Sequence, residues 1–178
     1  AVSLGITPIG ATQLPEYDKP PAYLGDLSSV KDVGEISEPD LEAIAALRPD
    51  LILGSKFRQE KFYDELSAIA PTVFTDRVGI TWKDNFLLDG KALGQEQKAK
   101  DLLAGYETRA KELGARIPDA ASLKVSVVRF MPAEIRVYGP DGFSGIVVGD
   151  VGLGRPERQK LANKDDKRFD KVSPERIA

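Results

Sequence analysis

The chain has 178 residues, 42% hydrophobic and 30% charged, an ordinary globular composition with room for one large domain or two small ones. Its 25 Lys and Arg against 28 Asp and Glu leave a formal charge of -3, so no general basic field exists to hold a polyphosphate backbone, and nucleic acid is not an expected partner. The composition contains neither cysteine nor histidine, which excludes disulfides, thiolate metal sites, thiol nucleophiles and every Ser/His/Asp or Cys/His arrangement.

No run approaches the roughly 20 apolar residues that span a bilayer, and AVSLGITPIGA lacks the basic start and long apolar stretch of a signal peptide. The single Met is Met131, so the sequence is expected to be a processed or excised product.

Residues 6–11 read as a short strand, and residues 13–26 as a loop rich in Pro and Tyr. SEPDLEAIAALRPDLIL places Ser37 as a helix N-cap with Pro39 just inside. Leu41, Ile44, Ala45 and Leu47 form its apolar set, Pro49 ends it, and a buried strand follows over 51–53. The arrangement recurs: a helix over 59–69 carries Phe62, Leu66 and Ile69 at helical spacing, Pro71 ends it, and 72–75 is β-rich. Helix alternating with short apolar strand implies a parallel sheet covered by helices. Helices over 82–93 and 95–116 come next. The second has Ala99, Leu102, Leu103, Tyr106, Ala110 and Leu113 on one face and, at about 1.5 Å per residue, reaches about 30 Å. Strands over 124–130 and 134–138 are joined by MPAE, PDGFSG opens a helix through Val151, residues 163–171 read as a charged solvated stretch, and VSPERIA begins another helix.

DLEAIAALRPDLILGS, YDELSAIAPTVF, TWKDNF, VVRFMPAEIRVYG, FSGIVVGDVGLGRPERQ and VSPERIA, in that order, resemble the helical-backbone class of ABC-importer binding proteins for siderophores, haem and vitamin B12. RF and IRVYG resemble the iron-siderophore branch, with hydroxamate or related chelates as ligand. The resemblance implies an α/β fold of two parallel-sheet lobes joined by a long backbone helix. The expected lobes are 1–94, lacking its first strand and helix, and a partial lobe over 118–178, with the bridge over 95–117. It implies capture of a ferric siderophore outside the cytoplasm, by a lipoprotein or periplasmic protein, and delivery to an ABC permease. No catalysis and no resident cofactor or metal are expected, and the full-length form is expected to be a monomer. Haem or cobalamin binding on the same scaffold, or a non-catalytic interaction domain, are the alternative readings; the lack of His and scarcity of Met disfavour axial haem ligation.

A ferric siderophore already satisfies its metal, so the protein contributes cations and aromatic faces. Arg129 and Arg136, at the ends of adjacent predicted strands, match the family's two ligand-binding arginines, and a guanidinium suits chelate oxygens because it stays charged when partly desolvated; the competing reading is a surface salt bridge. Lys56 and Arg58 follow a buried strand, at the carboxyl end where open α/β sheets place ligands; they fit the basic first turn of a helix as well. Trp82, the only Trp, is a candidate stacking surface or a core residue. Tyr138 is a further contact candidate, weaker with Phe130 and Phe143, while Tyr17 and Tyr23 on the Pro-rich loop are too loosely placed to assign. Glu42 and Glu175 match the family's pair of permease-docking glutamates and equally fit carboxylates that favour a helix dipole. The glycines of PDGFSG and GLGRP form no nucleotide-binding pattern.

Overall fold

The computed structural model describes residues 1–13, 22–173 and 175. The chain divides into two compact units, Ala1–Val78 with Lys83–Lys100, and Gly79–Trp82 with Asp101–Ala178. Tyr17 and most of the final VSPERIA segment lie outside the described residues.

In the first unit, β1 (Gly10–Gln13) runs parallel to β2 (Lys31–Glu35), which turns back antiparallel onto the two-residue β3 (Glu38–Pro39). That pairing corrects the expected helix start, because Pro39 is taken into β3 and cannot open the helix. Asp40 caps α1 (Leu41–Leu47) instead, its carboxylate accepting the Ala43 N–H at 2.9 Å. Arg48 closes α1 in the left-handed conformation (φ 49), and Pro49 bars continuation. Next come β4 (Ile52–Ser55), the single-turn α2 (Lys56–Gln59), a 3-10 turn, α3 (Tyr63–Ile69) and β5 (Thr72–Thr75), with β4 and β5 parallel and in register. Buried Ile44 and Leu66, expected from helical spacing, form the core with Val33 of β2, which the sequence reading did not call, and Leu47, Ile52 and Phe74 pack against them.

Among the described residues β1 pairs only with β2, and β4 only with β5. A cavity of 630 Å³ is lined by residues 6–12 and 49–54 and reaches the core at Val33, Leu66 and Phe74. Gln59 is buried beside it, its side-chain amide accepting the Ser55 N–H at 2.9 Å and donating to the Ile36 carbonyl.

α4 (Trp82–Ala92) and α5 (Glu96–Ala115) form close to the expected limits, and the boundary between the units falls inside α5, after Lys100. The second unit contains β6 (Val128–Phe130), β7 (Ile135–Tyr138), α6 (Phe143–Asp150) and β8 (Phe169–Val172). Here the expected parallel pairing is corrected: β6, β7 and β8 form an antiparallel sheet in that order, and among the described residues of this unit the one parallel pairing is the isolated bridge from Lys124 to Gly154. The four-residue MPAE connection between β6 and β7 is too short for the crossover that parallel strands require. The strand expected over 124–130 shrinks to three residues, and part of the stretch read as solvated becomes β8.

Candidate functional site

The register of the second sheet determines what shares a face. Arg129 is opposite Arg136, Arg136 is opposite Lys171, and Tyr138 is opposite Phe169. Side chains alternate along a strand and directly opposed residues share a face, so Arg129, Arg136 and Lys171 stand abreast with Tyr138 and Phe169 beside them. The opposite face carries Val128, Ile135, Val137 and Val172, with Val137 and Val172 buried.

Three cations abreast repel one another, and Glu134 offsets that repulsion. Its carboxylate pairs with the Arg136 guanidinium and, at 2.5 Å, with the Lys171 ammonium. The Lys171 hydrogen bond above all, with Arg136 adding to it, holds the Glu134 carboxyl below the usual carboxylate range against the opposing effect of burial. The Arg136 guanidinium also lies 4.3 Å from the centre of the Phe169 ring. Arg136 is thus anchored and 28% exposed; Arg129 on β6 is exposed.

Tyr138 is half-buried. Its carbonyl accepts Arg155 Nη1 at 2.7 Å, and Arg155 Nη2 donates to the Gly145 carbonyl at 3.2 Å. Burial pushes the Arg155 guanidinium's pKa down, and the arginine acts as a brace between the end of β7 and α6. Trp82 belongs to the same unit. Its indole meets Tyr106 edge-on at 5.1 Å and Phe143 at 5.4 Å, and the Tyr106 hydroxyl donates to Asp150 Oδ2 at 2.8 Å. Phe143 is 55% exposed, so this aromatic group is only partly a core feature.

Lys56 and Arg58 belong to the first unit and sit on α2, correcting the expectation that they occupy a loop: the chain turns helical immediately after Ser55. Both are exposed; Lys56 pairs with Glu60 at 3.6 Å and lines a 500 Å³ cavity with Asp64 and Asp76, an acidic setting. Glu42, in the first turn of α1, and Glu175 are exposed. The structure therefore brings together Arg129, Arg136 and Tyr138, adds Trp82 in the same unit, and assigns the remaining basic candidates to the other. Sequence reasoning missed Glu134, Lys171, Phe169 and Arg155. The alternation in FDKV and the two-residue spacing of Glu134 and Arg136 are the signals that point to three of them.

The family profile described as periplasmic binding protein matches residues 4–178, almost the whole chain. The chain belongs to the periplasmic binding protein family. Within that family it is 44% identical over 170 residues to the "Probable siderophore-binding lipoprotein YfiY" of Bacillus subtilis, covering 94% of this chain and 52% of the relative. The crystal structure of Staphylococcus aureus SirA complexed with staphyloferrin B superposes with a TM-score of 0.85 at 40% identity, covering 99% of this chain and 62% of that one. The structure of FeuA from Bacillus subtilis, described as a triscatecholate siderophore binding protein complexed with Ferri-Bacillibactin, gives a TM-score of 0.77 at 31% identity, with coverages of 99% and 61%. The chain thus spans about half the length of the curated relatives it matches. The α/β class and the long helix expected of this periplasmic binding protein chain are present, and the expected parallel strand pairing is present in the first unit.

Proposed function

We propose that this periplasmic binding protein chain is part of an extracytoplasmic solute-binding protein that captures a ferric siderophore and delivers it to an ABC permease. It performs no catalysis and needs no resident cofactor. The observation that carries this reading is the face of β6, β7 and β8, where Arg129, Arg136 and Lys171 stand abreast beside Tyr138 and Phe169. Guanidinium forks and ring faces suit a large oxygen-rich chelate whose iron is already coordinated. The relatives named for siderophore binding, one of them a lipoprotein, support the same class of ligand and a cell-surface or periplasmic location.

In this reading residues 1–94 and 118–178 contribute to two lobes joined by a helix over 95–117, and the complete protein is a monomer. Arg129, Arg136, Tyr138 and Trp82 contact the ligand from the second lobe, and Lys56 or Arg58 from the first. Glu42 and Glu175 meet the permease. A chelate of hydroxamate type is the ligand expected from RF and IRVYG.

The test is a titration of the full-length protein with a ferric tris-hydroxamate, followed by Trp82 fluorescence, with haem and cobalamin as parallel optical titrations. Each charge-assisted bond contributes about 1.5–3 kcal/mol, so Arg129→Ala should weaken ferric siderophore binding by about ten- to a hundredfold, with an unchanged melting temperature. Arg129→Lys should recover part of the loss, since it keeps charge but not the planar fork. Unaltered affinity in Arg129→Ala, or preferential binding of haem or cobalamin, would refute the reading.

A further inference from the structure

The cationic face carries its own anion, and no part of siderophore capture as described requires one. Glu134 immediately precedes β7, and its carboxylate reaches the cationic face, where it takes both the Arg136 guanidinium and the Lys171 ammonium. It is 18% exposed, more enclosed than either partner, so it is a fixture of the face. A ligand oxygen arriving at Arg136 meets a guanidinium whose charge is already partly countered, and a negative ligand additionally meets Glu134 as a like charge.

We propose that Glu134 sets the charge selectivity of this face: as a built-in counter-anion on Arg136 and Lys171, it reduces the advantage of anionic ferric chelates and lets neutral ones bind. This inference rests on the proposed siderophore-binding role and adds the chemical class of chelate to it. The physical reason is range. A unit charge several ångströms from a bound ligand interacts with the ligand's net charge, whereas the hydrogen bonds that Arg129 and Arg136 donate depend on local oxygen geometry, which hydroxamate and catecholate chelates share. Glu134 therefore discriminates between chelates of the same denticity by charge alone.

A purely structural brace is the competing role, and it predicts equal effects on all ligands. The full-length protein is titrated with two iron complexes, a neutral ferric tris-hydroxamate and a ferric tris-catecholate, which is multiply negative. Glu134→Gln keeps the shape and an acceptor oxygen but removes the charge. It should raise the ratio of catecholate to hydroxamate affinity by on the order of tenfold at low salt, and the gain should shrink as ionic strength rises. Glu134→Asp should keep a ratio near wild type even if both affinities fall. Lys171→Gln, at a side chain 64% exposed and so safe for folding, should move the ratio the opposite way by a similar factor. A ratio that stays constant in Glu134→Gln, or in Lys171→Gln should the former fail to fold, overturns the proposal and leaves Glu134 as a brace. If wild type binds neither complex, the siderophore reading itself falls and this inference falls with it.

Discussion

Tyr106 illustrates how a single side chain reports on its surroundings. Its ring meets Trp82, its hydroxyl donates to Asp150, and burial first, then the Asp150 carboxylate, push its pKa up to about 12. The folded value lies above the unfolded value of about 10, so the protonated phenol is the form that folding favours. Its stabilising contribution is fully present below about pH 10 and is lost as pH rises towards about 12. In an alkaline titration followed by tyrosinate absorbance, one phenol should ionise about two pH units late. Tyr106→Phe should abolish that late phase and cost about 1 kcal/mol in urea unfolding at neutral pH. A titration in which all tyrosines ionise together would remove this account of the aromatic group.

At the scale of elements, α5 and α6 approach until glycine is required. A Cβ on Gly114 would stand 1.9 Å from the Val151 carbonyl oxygen, and one on Gly145 would stand 1.9 Å from the Gly139 carbonyl oxygen. Backbone atoms cannot swing away as a flexible side chain can, so Gly114→Ala and Gly145→Ala should each destabilise by about 1–3 kcal/mol or more despite alanine's better helix propensity. Gly105→Ala, with nothing within 4 Å of its added methyl, is the control and should be neutral or stabilising; thermal melts of the three variants decide the point. Helix positions were legible from periodicity because burial repeats every three to four residues. β2 and β8 were hidden by charge. KDVGE buries only Val33, and DDKRFDKV reads as a solvated run until Arg168 donates its backbone N–H and guanidinium to Asp166, in a local turn that feeds Phe169 and Val172 into the sheet.

For the whole molecule, the two carboxylates proposed to meet the permease lie in different units, Glu42 on the first turn of α1 and Glu175 near the chain end, and both are exposed. Neither is part of the cationic face, so their role separates cleanly from ligand capture. Cells carrying Glu42→Ala or Glu175→Ala in the full-length protein should import ferric siderophore several-fold more slowly, while the purified variants keep wild-type affinity. A parallel fall in affinity would move these residues from docking to binding.

The sequence by itself determined the α/β class, the extents of α4 and α5, the apolar Leu41, Ile44 and Leu47 of α1 and Leu66 and Ile69 of α3, and the placing of Arg129 and Arg136 on neighbouring strands. Each follows from local period, proline punctuation or a short connection, all of which are properties of contiguous residues. Ala45, expected in the apolar set of α1, is exposed, and Ala43 packs against the core in its place. Only the tertiary structure decided that Asp40 rather than Ser37 caps α1, because Ser37 falls in the turn between β2 and β3 and Pro39 is drawn into β3 against β2. It alone decided that β8 joins the second sheet antiparallel to β7 and that Lys171 completes the row begun by Arg129 and Arg136. It alone placed Glu134 between two of those cations. These are consequences of register between segments up to about forty residues apart, and register is settled by which faces can be buried together, a sum over the whole unit that no local window of sequence contains.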